Sequence, residues 1–270
     1  MGTTDQMGGR KLAMIKALVI NLDAAKERLE FQERQLSELQ IPWRRVQAIN
    51  AEEVDESLPF WSTWERPLRK TEIACLTSHQ KTWEEVATGK DPVLILEDDV
   101  ILHKTTTDFL TQVETICDPA KIDHITLEVR GRKKFLHREG FSTPSIRKMH
   151  QDRTGAAAYV LFPSGATKLI NETKQRCGLA DAVIANFQNL KSWQAWPGLA
   201  MQSDQCKNYG FDPPINPSSW IDAHHKSHTK TMPQRIRRLR FQLRLAVAHL
   251  RTDVVKTNVP PAPGPWSDSK

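Results

Sequence analysis

Short apolar runs alternate with longer amphipathic stretches along the first two-thirds of the chain. Ala17 to Asn21 (ALVIN) is a compact apolar run, the pattern of a strand buried on both faces. From Ala24 to Leu39 the leucines at 29, 36 and 39 share one face, with Glu, Arg and Gln opposite, which predicts a helix. Asp23 is placed to cap it and Pro42 to end it. A second strand is expected over Trp43 to Ile49, then a turn-rich stretch from Ser57 to Arg69 carrying Pro59 and Pro67. A helix with Thr71 as N-cap follows, its buried stripe formed by Ile73, Leu76 and Trp83. Val93 to Leu96 (VLIL) is the cleanest buried strand, and it runs directly into Glu97-Asp98-Asp99.

Beyond it the pattern predicts a helix over Thr107 to Ile116 and a strand over Ile122 to Val129. Arg130 to Arg153 reads as polar and irregular, with ten Lys, Arg or His residues against the two acids Glu139 and Asp152. A strand over Ala156 to Phe162 precedes helices over Ser164 to Glu172 and Leu179 to Phe187, the second with Asp181 in its first turn. Trp193 to Ala200 reads as an extended segment broken by Pro197, and Cys206 to Ser219 as loop. Strands alternating with helices through short connections indicate an α/β domain with a mostly parallel central sheet. In such sheets ligands gather at the carboxyl ends of strands, so the end of Val93 to Leu96 is the first place to look.

Composition narrows the class. At 39% hydrophobic and 26% charged residues the chain is neither disordered nor fibrous. No run reaches 18 apolar residues, and Met1 to Met14 lacks the apolar stretch of a secretory signal, so a cytoplasmic protein is expected. Four scattered cysteines without a C-x-x-C pair argue against a zinc ribbon or a disulfide scaffold. The net charge of +6 is concentrated locally. Residues 234–251 interleave six arginines with Ile236, Leu239, Phe241, Leu243, Leu245, Val247 and Leu250. That pattern predicts a basic amphipathic helix suited to an anionic membrane surface, or docked on the domain with a solvated basic face. No stacking platform accompanies the charge, so no nucleic-acid partner is expected. The expected organisation is a flexible lead (1–13), the α/β domain (14–222), a basic helical segment (223–258) and a disordered Pro-rich tail (259–270).

Three consecutive carboxylates at a strand end repel one another unless a cation offsets them. Residues two apart on a strand share a face, so Glu97 and Asp99 converge while Asp98 points away. Two oxygen ligands with room for phosphate and water suit Mn²⁺ or Mg²⁺. The competing reading is an acidic turn that caps the next helix. A run His224-His225-x-x-His228 also has ligand chemistry, without a helix or strand to organise it.

Several pieces taken in order are distinctive. They are Ile20-Asn21-Leu22-Asp23 with Arg28; Glu72-x-x-Cys75-x-x-Ser78-His79-x-x-x-Trp83; Leu96-Glu97-Asp98-Asp99-Val100; Leu127-Glu128; Gly155-x-x-x-Tyr159; Ala180-Asp181; and Pro197 to Gln202. Together, across roughly Ile15 to Trp220, they resemble glycosyltransferase family 25, the lipooligosaccharide galactosyltransferases and their collagen-modifying relatives. The chain departs from the family's P-V-D by carrying Ala180 before Asp181 and no proline.

The resemblance implies a GT-A-like nucleotide-sugar-binding domain. It also implies inverting transfer from a UDP-hexose, usually UDP-galactose, with the metal at Glu97 and Asp99. Inversion requires a base for the acceptor hydroxyl. Asp181 matches the family's acceptor-side Asp, with Glu128 as the second candidate for base or acceptor ligand. Asn21, Asp23, Arg28, Ser78, His79, Asp98 and Gln202 are the candidate contacts to the donor nucleotide-sugar; for Arg28 a solvated helix face, and for His79 a satisfied core histidine, are the competing readings. Cys75 and Trp83 read as packing. The implied acceptor is a lipopolysaccharide-type, lipid-linked glycan at the inner membrane face. The basic stretch at 130–153 departs most from the family; its charge alone suggests an acceptor loop for a phosphorylated glycan. Rival classes are a non-catalytic glycan or sugar-nucleotide binder acting as a membrane-surface module, and a nucleotidyltransferase.

Overall fold

The computed structural model describes residues 15–116, 118, 120–152, 155–187, 189–217, 232–249 and 251–267. The expected N-terminal lead, the His224/His225/His228 run and Cys117 lie outside them. In chain order the elements are β1 (Ala17–Asn21), α1 (Lys26–Glu38), β2 (Trp43–Gln47), α2 (Lys70–Thr88), β3 (Val93–Glu97), β4 (Val100–Leu102) and α3 (Thr106–Ile116). Then come β5 (His124–Thr126), β6 (Lys134–Ser142), β7 (Ser145–Gln151), β8 (Ala158–Leu161), α4 (Pro163–Gln175) and α5 (Ala180–Asn186). The last are β9 (Ser192–Ala195), β10 (Ala200–Gln202), α6 (Met232–His249) and β11 (Val254–Thr257).

Nine strands form one sheet in the order β11-β6-β7-β9-β5-β8-β3-β1-β2, and β4 pairs with β10 in a small second sheet. The centre is built as the apolar runs require. In β1, Ala17 and Val19 face one core while Leu18 and Ile20 face the other. β3 divides the same way, with Leu94 and Leu96 on one side and Val93 and Ile95 on the other. Leu36 and Leu39 beside α3 residues Phe109, Leu110 and Val113 cover the first face. Leu76, Trp83 and Val86 of α2, Leu169 of α4 and Ile184 of α5 cover the second. Strands sandwiched between two helical layers lose the polar alternation of half-exposed strands, which is why they read as continuous apolar runs.

The sheet is mixed, not mostly parallel. β1 runs parallel to β2 and β3, and β5 to β9, but β8 lies antiparallel between β3 and β5, and β6, β7 and β11 join antiparallel. Most of the stretch expected to be irregular forms the β6–β7 hairpin, turning at Thr143-Pro144. Buried Lys134 anchors its base, donating to Gln194 Oε1 at 2.7 Å and pairing with Asp152 at 2.8 Å.

Residues 259–267 of the tail expected to be disordered are packed. β11 adds to β6, and Val259, Ala262 and Trp266 are buried. Pro260 and Pro265 accept from the backbone N–H groups of Gly198 and Lys104, and Leu102 accepts from that of Ser267. The stretch expected as loop after β10 begins as a 3₁₀ turn over Ser203–Tyr209. α1 starts at Lys26 with no side-chain cap; Asp23 instead engages Arg45 and Gln47 on β2. α2 starts one residue before Thr71, capped where the Arg69 backbone N–H donates to Glu72 at 3.0 Å.

Candidate active site

Two cavities meet at the carboxyl end of β3. The first, about 260 Å³, has apolar walls from Ile20, Leu22, Ala48, Ile49 and Ala74, and ends at Glu97, Asp98, Asp99 and Gln202. The second, about 350 Å³, is lined by Arg66, Arg69, Arg130, Ala156, Ala157 and Asp181. Cys75, Glu97 and Gln202 line both. Glu97 therefore stands where contents of the two spaces would touch.

The three acids do different things. Asp98 is buried and turned toward α1, accepting from Asn21 Nδ2 at 2.7 Å and from Arg28 Nη1 at 3.0 Å. Burial pushes its carboxyl above the ordinary range, against the pull of Arg28 and Asn21. Glu97 and Asp99 converge instead on the Gln202 amide, whose Nε2 lies 3.0 Å from Glu97 Oε2 and 3.4 Å from Asp99 Oδ1. Burial, and then the charge of Glu97, raise Asp99 to about 7. Two carboxylates pressed together in a cavity, one reluctant to ionise, form an all-oxygen donor set that fits a hard divalent ion. Cys75, His79 and Glu97 also approach within 4.8 Å of one another. That softer set is blunted by its thiol, which burial holds well above its ordinary range and so protonated.

α2 spends one face on this centre, which gives the Glu72…Trp83 motif a physical meaning. Glu72 grips Arg66 at 2.6 and 2.7 Å and Arg69 at 2.8 Å; burial opposes its ionisation, but these bonds outweigh it and bring it to about 2. Cys75 faces both cavities. Ser78 Oγ accepts from the Ile49 backbone N–H at 2.9 Å and donates to Ala74 O at 2.7 Å, tying the chain after β2 to the helix. His79 lies between Tyr159 Oη, 2.9 Å from Nδ1, and Glu97 Oε1, 3.3 Å from Nε2. Trp83 Nε1 donates to the same Tyr159 oxygen at 2.8 Å.

The expected residues therefore divide. Glu97, Asp99, Gln202, Arg28, Asp98, Ser78 and His79 all line the first cavity, although the donor proton of Ser78 is already committed and Arg28 is paired with Asp98. Asp181, in the first turn of α5, lines the second, and burial raises it to about 6. Asn21 and Asp23 line neither. Asn21 is 2% exposed and spends its amide on Ala25 O, Asp98 and Arg45. Asp23 is exposed and accepts from Arg45 and Gln47 on β2. Glu128 is likewise absent from both cavity walls. It is 1% exposed behind Gly155 and accepts from the Ala157 N–H, so its placement does not suit a base.

Sequence reading missed Arg66 and Arg69, took Cys75 for packing, and held Arg130 only as the start of a basic stretch. It also took Thr71 for a cap, whereas its Oγ1 is buried without a partner in the wall of the first cavity. Buried polar atoms are normally bonded, so this hydroxyl is a ready contact for a ligand. The only available signal was the spacing of 72, 75 and 79 along one helix face.

Human procollagen galactosyltransferase 2 is 26% identical over 175 residues, covering 59% of this chain and 28% of that protein. The mouse protein of the same name is 29% identical over 142 residues, covering 48% and 22%. Xenopus laevis procollagen galactosyltransferase 1-B is 25% identical over 178 residues, covering 60% and 29%. The chain thus spans under a third of the length of these relatives. Among solved structures, a glycosyltransferase involved in glycosylation of the major capsid of PBCV-1 superposes with a TM-score of 0.38 and 11% identity, over 70% of this chain and 94% of that one. The model of glycosyltransferase family 25 (LPS biosynthesis protein) matches residues 14–184, from before β1 through most of α5, and the chain belongs to that family.

Proposed function

We propose that this protein is an inverting glycosyltransferase that moves a hexose, galactose by the names of its relatives, from a UDP-sugar to a glycan hydroxyl. The observation that carries the reading is the meeting of two cavities at Glu97. The first, with apolar walls and carboxylates at its end, takes the nucleotide-sugar. The second, with Asp181, takes the acceptor. Glu97 and Asp99 would hold Mn²⁺ or Mg²⁺, which when bound neutralises the leaving diphosphate. The acceptor oxygen forms a bond to the anomeric carbon as the bond from that carbon to the phosphate oxygen breaks. UDP leaves with that electron pair, and Asp181 takes the hydroxyl proton. A carboxyl near pH 6 is well matched to that task at neutral pH, being mostly ionised yet basic enough to accept.

The test is a panel of UDP-sugars with released UDP measured, with Mn²⁺ and with chelator. Release of UDP with one sugar, lost on chelation, supports the reading. Activity indifferent to chelator removes the cation from it. Pyrophosphate as the product makes the protein a nucleotidyltransferase, and binding without turnover makes it a glycan or sugar-nucleotide binder.

The acceptor we propose is a lipopolysaccharide-type, lipid-linked glycan reached from the cytoplasmic membrane face. No helix among the described residues is long and apolar enough to cross a membrane. Met232, Ile236, Leu239 and Leu243 are exposed at helical spacing along α6, beside exposed Arg235 and Arg238. An apolar stripe flanked by arginine suits an anionic bilayer surface. Cosedimentation with anionic vesicles, lost in Leu239→Glu while transfer to a soluble acceptor persists, tests this. Substitution is preferable to truncation, because the chain after α6 supplies β11 and the buried Trp266.

A further inference from the structure

We propose that Trp83, Tyr159 and His79 form a one-way hydrogen-bond chain that orients Glu97, with His79 acting as the positioning residue. The inference rests on the reading of Glu97 and Asp99 as the cation-binding pair.

The direction follows from the two ends. Trp83 Nε1–H can only donate, and it lies 2.8 Å from Tyr159 Oη. A Glu97 carboxylate that holds a cation can only accept, and its Oε1 lies 3.3 Å from His79 Nε2. Nε2–H then donates to it, and Nδ1, 2.9 Å from the tyrosine, accepts from the Tyr159 hydroxyl, which accepts from Trp83.

Backbone geometry builds the chain. Trp83 and His79 lie one turn apart on α2. Tyr159 on β8 is registered against Ile95, two residues before Glu97 on β3, so all three strand positions face α2. At the far end Gln202 donates to Oε2 at 3.0 Å. Glu97 is thus held by both oxygens, one by an imidazole and one by an amide, which fixes its orientation. Partners of this kind behind a metal ligand are typically worth about 10- to 100-fold in affinity.

The test uses the full chain with Mn²⁺ and UDP as probes and no sugar, following free Mn²⁺ by electron paramagnetic resonance. His79→Leu is expected to weaken Mn²⁺ binding by about 10- to 100-fold. His79→Gln, which can offer an N–H to the same oxygen, should recover most of it, and Tyr159→Phe should fall between. Unchanged Mn²⁺ affinity in His79→Leu overturns the proposal. The thermal midpoint of each variant is recorded alongside. His79→Gln that melts as the parent does yet binds Mn²⁺ no better than His79→Leu overturns it equally. Asp99→Asn alongside tells the two failures apart. If it too binds Mn²⁺ normally, the cation reading has failed and the chain's role falls with it. If Asp99→Asn loses the ion and His79→Leu does not, only the chain has failed.

Discussion

Adjacent acids at the end of β3 are handled in opposite ways by the two faces of the sheet. On the α1 face, Asp98 meets a guanidinium and an amide and is locked into the wall. On the α2 face, Glu97 and Asp99 meet an imidazole and an amide. The first arrangement spends the charge on holding the α1 side of the site together. The second keeps it available, at the cost of repulsion between neighbours. A run of identical-looking acids thus separates into a structural one and a reactive pair by whether the donors around it are charged.

The largest effect should come from the reactive side. Asp99→Asn or Glu97→Gln should lower kcat/KM by about 10²–10³-fold, in the range set by losing one transition-state charge contact, with no loss of thermal midpoint. A variant that unfolds more easily and keeps its turnover would reverse the division. Across the junction, Asp181→Asn should cost at least about 10²-fold in turnover while UDP binding by calorimetry stays unchanged. Asp98→Asn should behave in the contrary manner. Losing its charge-assisted bonds is worth about 1.5–3 kcal/mol of stability, read by denaturant unfolding, with the Mn²⁺ requirement intact.

The smallest effect sharpens the contrast with an acid that has neither treatment. Glu128 is buried, one oxygen lacks a partner, and burial raises it from 4.5 to about 7. Its folded form holds a proton that the unfolded form has already lost, so its contribution to stability falls as pH rises from about 4.5 to about 7. Glu128→Gln should flatten that part of the stability profile and leave turnover in place. A flat profile in the parent protein would show that Glu128 is not held in its acid form.

The parts of the fold that could be read from the chain are those where burial alone dictates the pattern. β1, β3 and β8 are buried on both faces, so their apolar runs are unambiguous. β6 and β7 were missed because most of their side chains meet solvent, and their pairing is carried by backbone bonds that leave no apolar signature. The tail was misread because proline suggested disorder. Proline lacks an N–H but keeps its carbonyl, and Pro260 and Pro265 are used as acceptors. At the site, the convergence of Glu97 and Asp99 was expected from strand alternation, but the structure reaches it through the two-residue turn that joins β3 to β4. The roles of Asn21 and Asp23 did not follow from strand geometry, because both sit near the same strand end and only the lateral approach of Arg45 and Gln47 from β2 decides where they turn.

The docked tail bears on how the molecule comes into being. Asp99 and Gln202 are set by β4 and β10, and that small sheet is braced by residues 260–267 through Gly198, Leu102 and the His103–Trp266 bridge. A chain still on the ribosome can assemble the central strands long before those residues emerge. The carboxylate pair therefore comes into register only after residues 260–267 have left the ribosome, and a nascent chain cut short before Trp266 would carry every acid of the cluster without the brace that aligns them.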